Sequence, residues 1–277
     1  MKKTPMKIKR FHVKLSWVFS LLLFAACSTV PLTGRQQLNL IPESEMLSMS
    51  LTQYGDFLKS NQLSNNLADK AMVERVGKRI AAAVDQYLND NGLGDRVKDF
   101  NWEFNLVKDS VANAWCMPGG KVVVYTGILP ITKNENGLAV VMGHEIAHAV
   151  ARHGNERMSQ EMLVQFGGMG LAAAIDQKPE QTKNIYMTAY GIGTQVGAIL
   201  PYSRSHELEA DKMGLMFMAM AGYDPNGAVE FWQRMAEQGG SSMPELLSTH
   251  PVDSHRIAQI QQDLPEALKY YEQTKNR

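Results

Sequence analysis

His144, Glu145 and His148 stand in the spacing His-Glu-x-x-His. On an α-helix, residues i and i+4 share a face, so the two imidazoles can grip one metal ion. The Glu beside the first His then reaches a water on the open side of that ion. This is the chemistry of zinc-assisted hydrolysis, and such a site takes three protein ligands and keeps one position open. The metzincin continuation fails, because Ala151 stands where that pattern wants Gly, and Gly154 where it wants His, with His153 one residue short. His153 therefore reads as structural, ending the helix before Gly154. The third ligand must come from His206, Glu207, Glu209, Asp211, His250 or His255. Glu207 and Asp211 lie four apart on a second predicted helix. One can bind metal while the other accepts the free ring N–H of a ligating His. Spacing leaves their order open, and His206 and Glu209 show no partner in register.

The elements that position these residues follow from hydrophobic period. Met46, Leu47, Leu51, Tyr54 and Leu58 recur at helical spacing over 43–58, and Val73, Val76, Ile80, Val84 and Tyr87 do so over 66–89. Asn91-Gly92 and Gly94 close that second helix. Residues 101–106 alternate as a half-buried strand, and Lys121, Val122, Val123, Val124, Tyr125 and Thr126 form another, entered through Pro118-Gly119-Gly120. From Glu135 onward the pattern is helical. The helix around His144 is apolar nearly all round, as a buried metal helix should be. Met162–Ile175 and Ile185–Leu200 are apolar but too short to span a bilayer, and read as core helices. The expected class is α+β, mostly helical, with a small sheet and no second domain boundary.

The N-terminus reads as an address. Residues 1–26 carry six basic side chains and no acid, and Leu15–Ala26 is apolar apart from Ser16 and Ser20. Phe24-Ala25-Ala26-Cys27 resembles a bacterial lipobox. The expected layout is a lipoprotein-type signal peptide at 1–26, a tether at 27–42 and a metallopeptidase domain at 43–277. Lipidation of Cys27 would anchor an exported protein to a membrane of the cell envelope. Lys+Arg and Asp+Glu both number 28, so the chain without its first 26 residues has 22 bases against 28 acids, a net of −6. That balance excludes wrapping of nucleic acid, which needs a basic face. Two cysteines exclude a disulfide scaffold.

The motifs as a set resemble the zinc peptidases that include CAAX prenyl proteases, HtpX-type proteases and their soluble bacterial lipoprotein relatives. His-Glu-x-x-His is followed by Ser203-Arg204-Ser205-His206-Glu207-Leu208-Glu209-Ala210-Asp211, which matches that family's E-x-x-x-D. Asn113-Ala114-Trp115 to Lys121, and Thr249-His250-Pro251 with Arg256, match two further stretches, and the resemblance covers roughly residues 30–262. It implies a zincin-like, gluzincin domain with the sheet beside the metal helix. It implies one zinc ion per chain held by His144, His148 and Glu207, with Asp211 in support. It also implies polypeptide substrates, misfolded or misassembled envelope proteins among them. Prenyl proteases have transmembrane helices, which are absent here, so the prenylated substrate is not carried over.

The implied reaction is endopeptidase hydrolysis with Glu145 as general base. Lys121, Val122, Val123 and Val124 are expected to offer a sheet edge to extended substrate. Pro251 restricts His250 to an extended backbone, so its ring can stabilise the oxyanion or latch the zinc at rest. Arg256 can serve the oxyanion or hold this loop by a carboxylate. The alternative is a lipid-anchored assembly or chaperone-like factor with a structural zinc, closed by His250 as fourth ligand. Glu145 argues against it, since a structural site needs no base.

Overall fold

A computed structural model describes residues 27–195, 199–238, 245–251 and 254–275. The signal-peptide expectation, residues 1–26, and the side chain of Cys27 lie outside the described residues. In chain order the elements are β1 (Cys27–Thr29), β2 (Gln36–Leu38), α1 (Glu43–Ser60), α2 (Leu67–Asp90), β3 (Glu103–Val107), β4 (Ala114–Met117) and β5 (Lys121–Tyr125). There follow α3 (Leu129–Thr132), α4 (Glu135–Ala151), α5 (His153–Ala174), α6 (Glu180–Thr194), α7 (Leu200–Met220), α8 (Gly227–Glu237), α9 (Glu245–Thr249) and α10 (Ser254–Lys275). The fold is the mostly helical α+β, zincin-like arrangement expected.

The helices start where their caps dictate. Asn66 accepts the backbone N–H groups of Ala68 and Asp69 at the head of α2, and Asn134 accepts that of Gly137 at the head of α4. Each such cap contributes about 1 kcal/mol. From α2, Val73, Val76, Ile80, Val84 and Leu88 enter the main core, where they join residues of α4, α7, α8 and α10. α4 is buried along nearly its whole length. It crosses α7 at Gly143 and Gly214, where a Cβ on Gly143 would meet the Gly214 carbonyl oxygen at 2.8 Å and one on Gly214 would meet His144 N at 2.7 Å. Two glycines therefore let the backbones touch one residue before His144 and three residues after Asp211.

The sheet has the order β3-β5-β4, with β3 parallel and β4 antiparallel to β5. This overturns the expectation that Lys121, Val122, Val123 and Val124 offer an edge to substrate. β5 is the central strand and both its backbone edges are already paired. Its continuous apolar run has a two-sided cause: Val122 and Val124 face the main core, while Val123 packs with Tyr54 and Val107 beneath α1. The edge strands are β3 and β4, and β4, which borders the cleft, is a four-residue element that the period did not announce. The β4–β5 turn places Gly119 and Gly120 at φ 86° and 77°, conformations that favour glycine.

Two further expectations are corrected. Residues 27–42 were expected to be an extended tether, yet they carry the antiparallel β1–β2 hairpin, with Ser28 opposite Gln37. The hairpin docks on the body: the Leu40 N–H donates to Ser159 Oγ at 2.8 Å, and Asn155 donates to the Ile41 carbonyl at 2.8 Å. The apolar stretches of α5 and α6 are not core. They pair with each other, Tyr190 donating to the Val164 carbonyl, and leave Phe166, Met169, Ile185 and Ile192 more than half exposed. Among the described residues no helix is long and apolar enough to cross a membrane.

Candidate metal centre

His144, His148, Glu207 and His250 each point one donor atom into a common space, and these atoms lie within 4.8 Å of one another. His144 Nε2 is 3.1 Å from His148 Nε2 and 3.4 Å from Glu207 Oε2, while His148 Nε2 is 3.4 Å from Glu207 Oε1. Bonds of about 2.1 Å to a tetrahedral zinc put neighbouring ligand atoms about 3.4 Å apart. The donor set and its spacing thus fit zinc. The order that spacing left open has a geometric answer: Glu207 faces the two Nε2 atoms, whereas Asp211 lies behind His144, its Oδ1 3.0 Å from His144 Nδ1.

Asp211 is fully enclosed and clamped. Arg256 donates to it through Nε and Nη2, both at 2.7 Å. The same guanidinium reaches Glu207 Oε2 at 3.1 Å through Nη1, which also donates to the backbone carbonyls of His250 and Pro251. Arg256 lies over the ring of Trp232, itself edge-on to His144. These contacts hold Arg256 as a brace of the carboxylates and of the His250 loop, the carboxylate-held arrangement expected as one of its two options.

A different arrangement stands behind His148. The chain leaves α4 at Arg152, in the left-handed region at φ 62°, and His153 opens α5 instead of ending α4. His153 Nε2 is 2.9 Å from Glu209 Oε2, and a carboxylate only accepts, so this nitrogen carries the proton. His153 Nδ1 is then an acceptor, and His148 Nδ1–H donates to it at 2.9 Å. That tautomer leaves the lone pair of His148 Nε2 facing the other ligands. Next to this pair, His206 Nε2 contacts Glu156 Oε2 at 2.9 Å, and its ring stacks on that of His153. Arg35 from the β1–β2 hairpin donates through Nε to Glu209 at 2.8 Å and through Nη1 and Nη2 to Glu156 at 2.9 and 2.7 Å; Thr33 also donates to Glu209. These residues escaped spacing arguments applied to one helix at a time. The available signal was a repeated His-x-x-Glu, His153 with Glu156 and His206 with Glu209, which pair crosswise between α5 and α7.

Electrostatics follow from burial and partners. Burial opposes a charge on His144, but its contacts with Asp211 and Glu207 outweigh that and lift its pKa to about 9. Burial drives His148 far below its ordinary value, Glu207 opposing and the neighbouring imidazoles adding to the effect. Burial disfavours charge on Glu207, but its electrostatic interaction with His148 and its contacts with His144 and His250 hold it ionised far below the usual carboxylate range. Glu145 is the exception. Burial raises it, with His250 and His144 only partly compensating, and its Oε1 makes no hydrogen bond among the described residues. It faces a cleft of ≈ 440 Å³ whose lining includes Trp115 and Cys116 of β4 and Pro118 of the turn after it, together with His148 and His250.

The profile of Peptidase family M48 matches residues 68–264. The chain belongs to this family. Among similar proteins, the "Mitochondrial metalloendopeptidase OMA1" of Schizosaccharomyces pombe is 34% identical over 94% of this chain and 74% of its own length. The human "Metalloendopeptidase OMA1, mitochondrial" is 29% identical over 92% of this chain and 49% of its own. The "Beta-barrel assembly-enhancing protease" of Yersinia pestis is 32% identical over 62% and 37%. The chain thus spans about half or less of the length of the latter two. As an M48 member with this donor cluster it is a zinc metalloendopeptidase. The family expected from the motifs holds, but these relatives do not form a lipoprotein branch of HtpX type. The expected exported, cell-envelope location is overturned: the relatives from Schizosaccharomyces pombe, Saccharomyces cerevisiae, Bos taurus and Homo sapiens are all named as mitochondrial.

Proposed function

We propose that the chain cleaves unfolded or misassembled polypeptides, taking an extended segment against the β4 edge, with His144, His148 and Glu207 as zinc ligands. The observation that carries this reading is the juxtaposition of three donors at tetrahedral spacing, a buried carboxylate whose Oε1 has no hydrogen bond among the described residues, and an open strand edge, all on one cleft. Zinc held there supplies Lewis-acid polarisation of the scissile carbonyl and a lowered pKa for water. Glu145 takes the proton of the attacking water, to which its raised affinity for protons suits it, and passes that proton to the leaving amine nitrogen. β4 has one edge paired with β5, so its other edge can hydrogen-bond substrate backbone and hold it across the cleft. Asp211 and His153 fix the ligand rings from behind. The test is cleavage of an unfolded polypeptide by the purified chain. Turnover that a chelator removes and zinc restores is expected, and turnover indifferent to the chelator would contradict it.

His250 favours a second feature of this reading. Its Nδ1 is 2.9 Å from Glu207 Oε1 and 3.3 Å from His144 Nε2, which supports reading it as a fourth donor of the set. In the proposed resting state His250 latches the site and leaves when substrate enters. His250→Ala should then raise peptidase activity several-fold and speed zinc loss to chelators; a fall of about 100-fold with zinc retained would assign it to the transition state instead.

A further inference from the structure

We propose that Arg35, in the β1–β2 hairpin and more than a hundred residues before His148, is a positioning residue for that metal ligand. It acts through Glu209 and His153. The inference rests on the reading of His148 as a zinc ligand.

The path is continuous. His148 Nδ1–H donates to His153 Nδ1, and His153 Nε2–H donates to Glu209 Oε2, each at 2.9 Å. Arg35 Nε donates to that same Oε2 at 2.8 Å. An imidazole can accept at Nδ1 only while its proton sits on Nε2, and Glu209 is what keeps it there. Arg35 in turn keeps Glu209 in place. The α7 helix presents Glu209 and His206 one turn apart, and α5 presents His153 and Glu156 one turn apart, so two crossed His–carboxylate pairs form with the rings stacked. Both carboxylates are buried, and two unpaired carboxylates brought this close would repel each other. A planar guanidinium with its Nε and Nη donors split between them removes that conflict and sets their separation. Lysine, with one ammonium, cannot meet Glu156 with a fork and Glu209 with a third donor at once. The hairpin that carries Arg35 is docked independently through Leu40 to Ser159, so loss of docking and loss of the guanidinium are separable.

Zinc affinity by competition with a chromophoric chelator is the readout, alongside thermal melting of each variant. Arg35→Ala and Glu209→Gln should each weaken zinc by about 10-fold or more, the usual effect of removing a partner behind a ligand. Combined, they should be no weaker than Glu209→Gln alone within about two-fold, because both act on one path. Arg35→Ala with Asp211→Asn, on separate paths, should multiply. Arg35→Lys should stay closer to Arg35→Ala than to the native chain. Ser159→Ala should lower the melting temperature and leave zinc affinity unchanged. Zinc affinity within two-fold of the native chain in folded Arg35→Ala and Glu209→Gln would overturn the proposal, as would an equal loss in Ser159→Ala. If Arg35→Ala does not fold, Glu209→Gln, which keeps the volume, decides. His148→Ala separates the two levels. Zinc retained in that variant overturns the reading of the site, whereas zinc lost there, with the Arg35 and Glu209 variants unaffected, overturns only the positioning role.

Discussion

The two histidines of the metal helix are supported from opposite ends of the chain by unlike means. Behind His144 stands a carboxylate, Asp211, on the facing helix, held by Arg256 from the C-terminal helix. Behind His148 stands another imidazole, His153, which passes the contact to Glu209 and Arg35 in the N-terminal hairpin. The first support is short, direct and charged; the second is a neutral relay with a crossed partner pair beside it. A carboxylate one contact away raises the basicity of its ligand, which an imidazole relay does far less, since the negative charge of Glu209 sits one ring farther off. His144 and His148 are displaced in opposite senses: contacts with Asp211 and Glu207 lift the first against burial, while burial drives the second far downward. One metal helix therefore presents two ligands braced by different chemistry, each tied to a different terminus.

The largest expected effect removes the group common to both sides. Glu207 faces both ligand nitrogens, so Glu207→Ala should abolish zinc retention through gel filtration and reduce proteolysis to background. Zinc retained there would reject it as a ligand. Next comes the direct support. Asp211→Ala should weaken zinc by about 10–100-fold and, by stranding a buried Arg256, cost roughly 3–5 kcal/mol of stability in denaturant unfolding. The relay should be the milder partner: His153→Ala should weaken zinc less than Asp211→Ala. An equal or larger loss in His153→Ala would dissolve the contrast between the two supports.

The smallest effect concerns acid. Burial raises the Glu156 carboxyl, but contacts with His206 and Arg35 more than reverse this and hold it at about 2, below its ordinary 4.5. A depressed carboxyl contributes stability that is fully present above about pH 4.5 and is lost as pH falls toward 2. Glu156→Gln should therefore lower stability at neutral pH and flatten the acid limb between those values, read by denaturant midpoints across that range. An unchanged acid limb would show that Glu156 carries no charge-dependent part of hairpin docking.

The same contrast explains what the sequence made legible. Asp211 was accessible because it shares one helix, and one face of that helix, with Glu207; a spacing of four residues is a local fact. The helices carrying Val73, Val76, Ile80 and Val84, and the apolar metal helix, were likewise visible from period alone. Glu209, His206, His153 and Glu156 do their work across two helices, and Arg35 across a third element, so no single period contains them. β5 misled because a run of three valines fits a central strand as well as an edge, and only the pairing with β4 and β3 separates these cases. The α5–α6 pair misled because apolar composition does not say whether a core lies nearby.

The most direct measurement is made on Glu145→Gln. The amide keeps the shape of the buried side chain, whose Oε1 lies 3.7 Å from His250 Nε2, but cannot take a proton from water. Zinc content and turnover of an unfolded polypeptide should be measured on the same purified sample. The expected result is zinc bound as in the native chain with turnover down by about 10²–10⁴-fold, the range for loss of a general base. Turnover near the native rate in the zinc-loaded variant would contradict the assignment of Glu145 and the mechanism built on it.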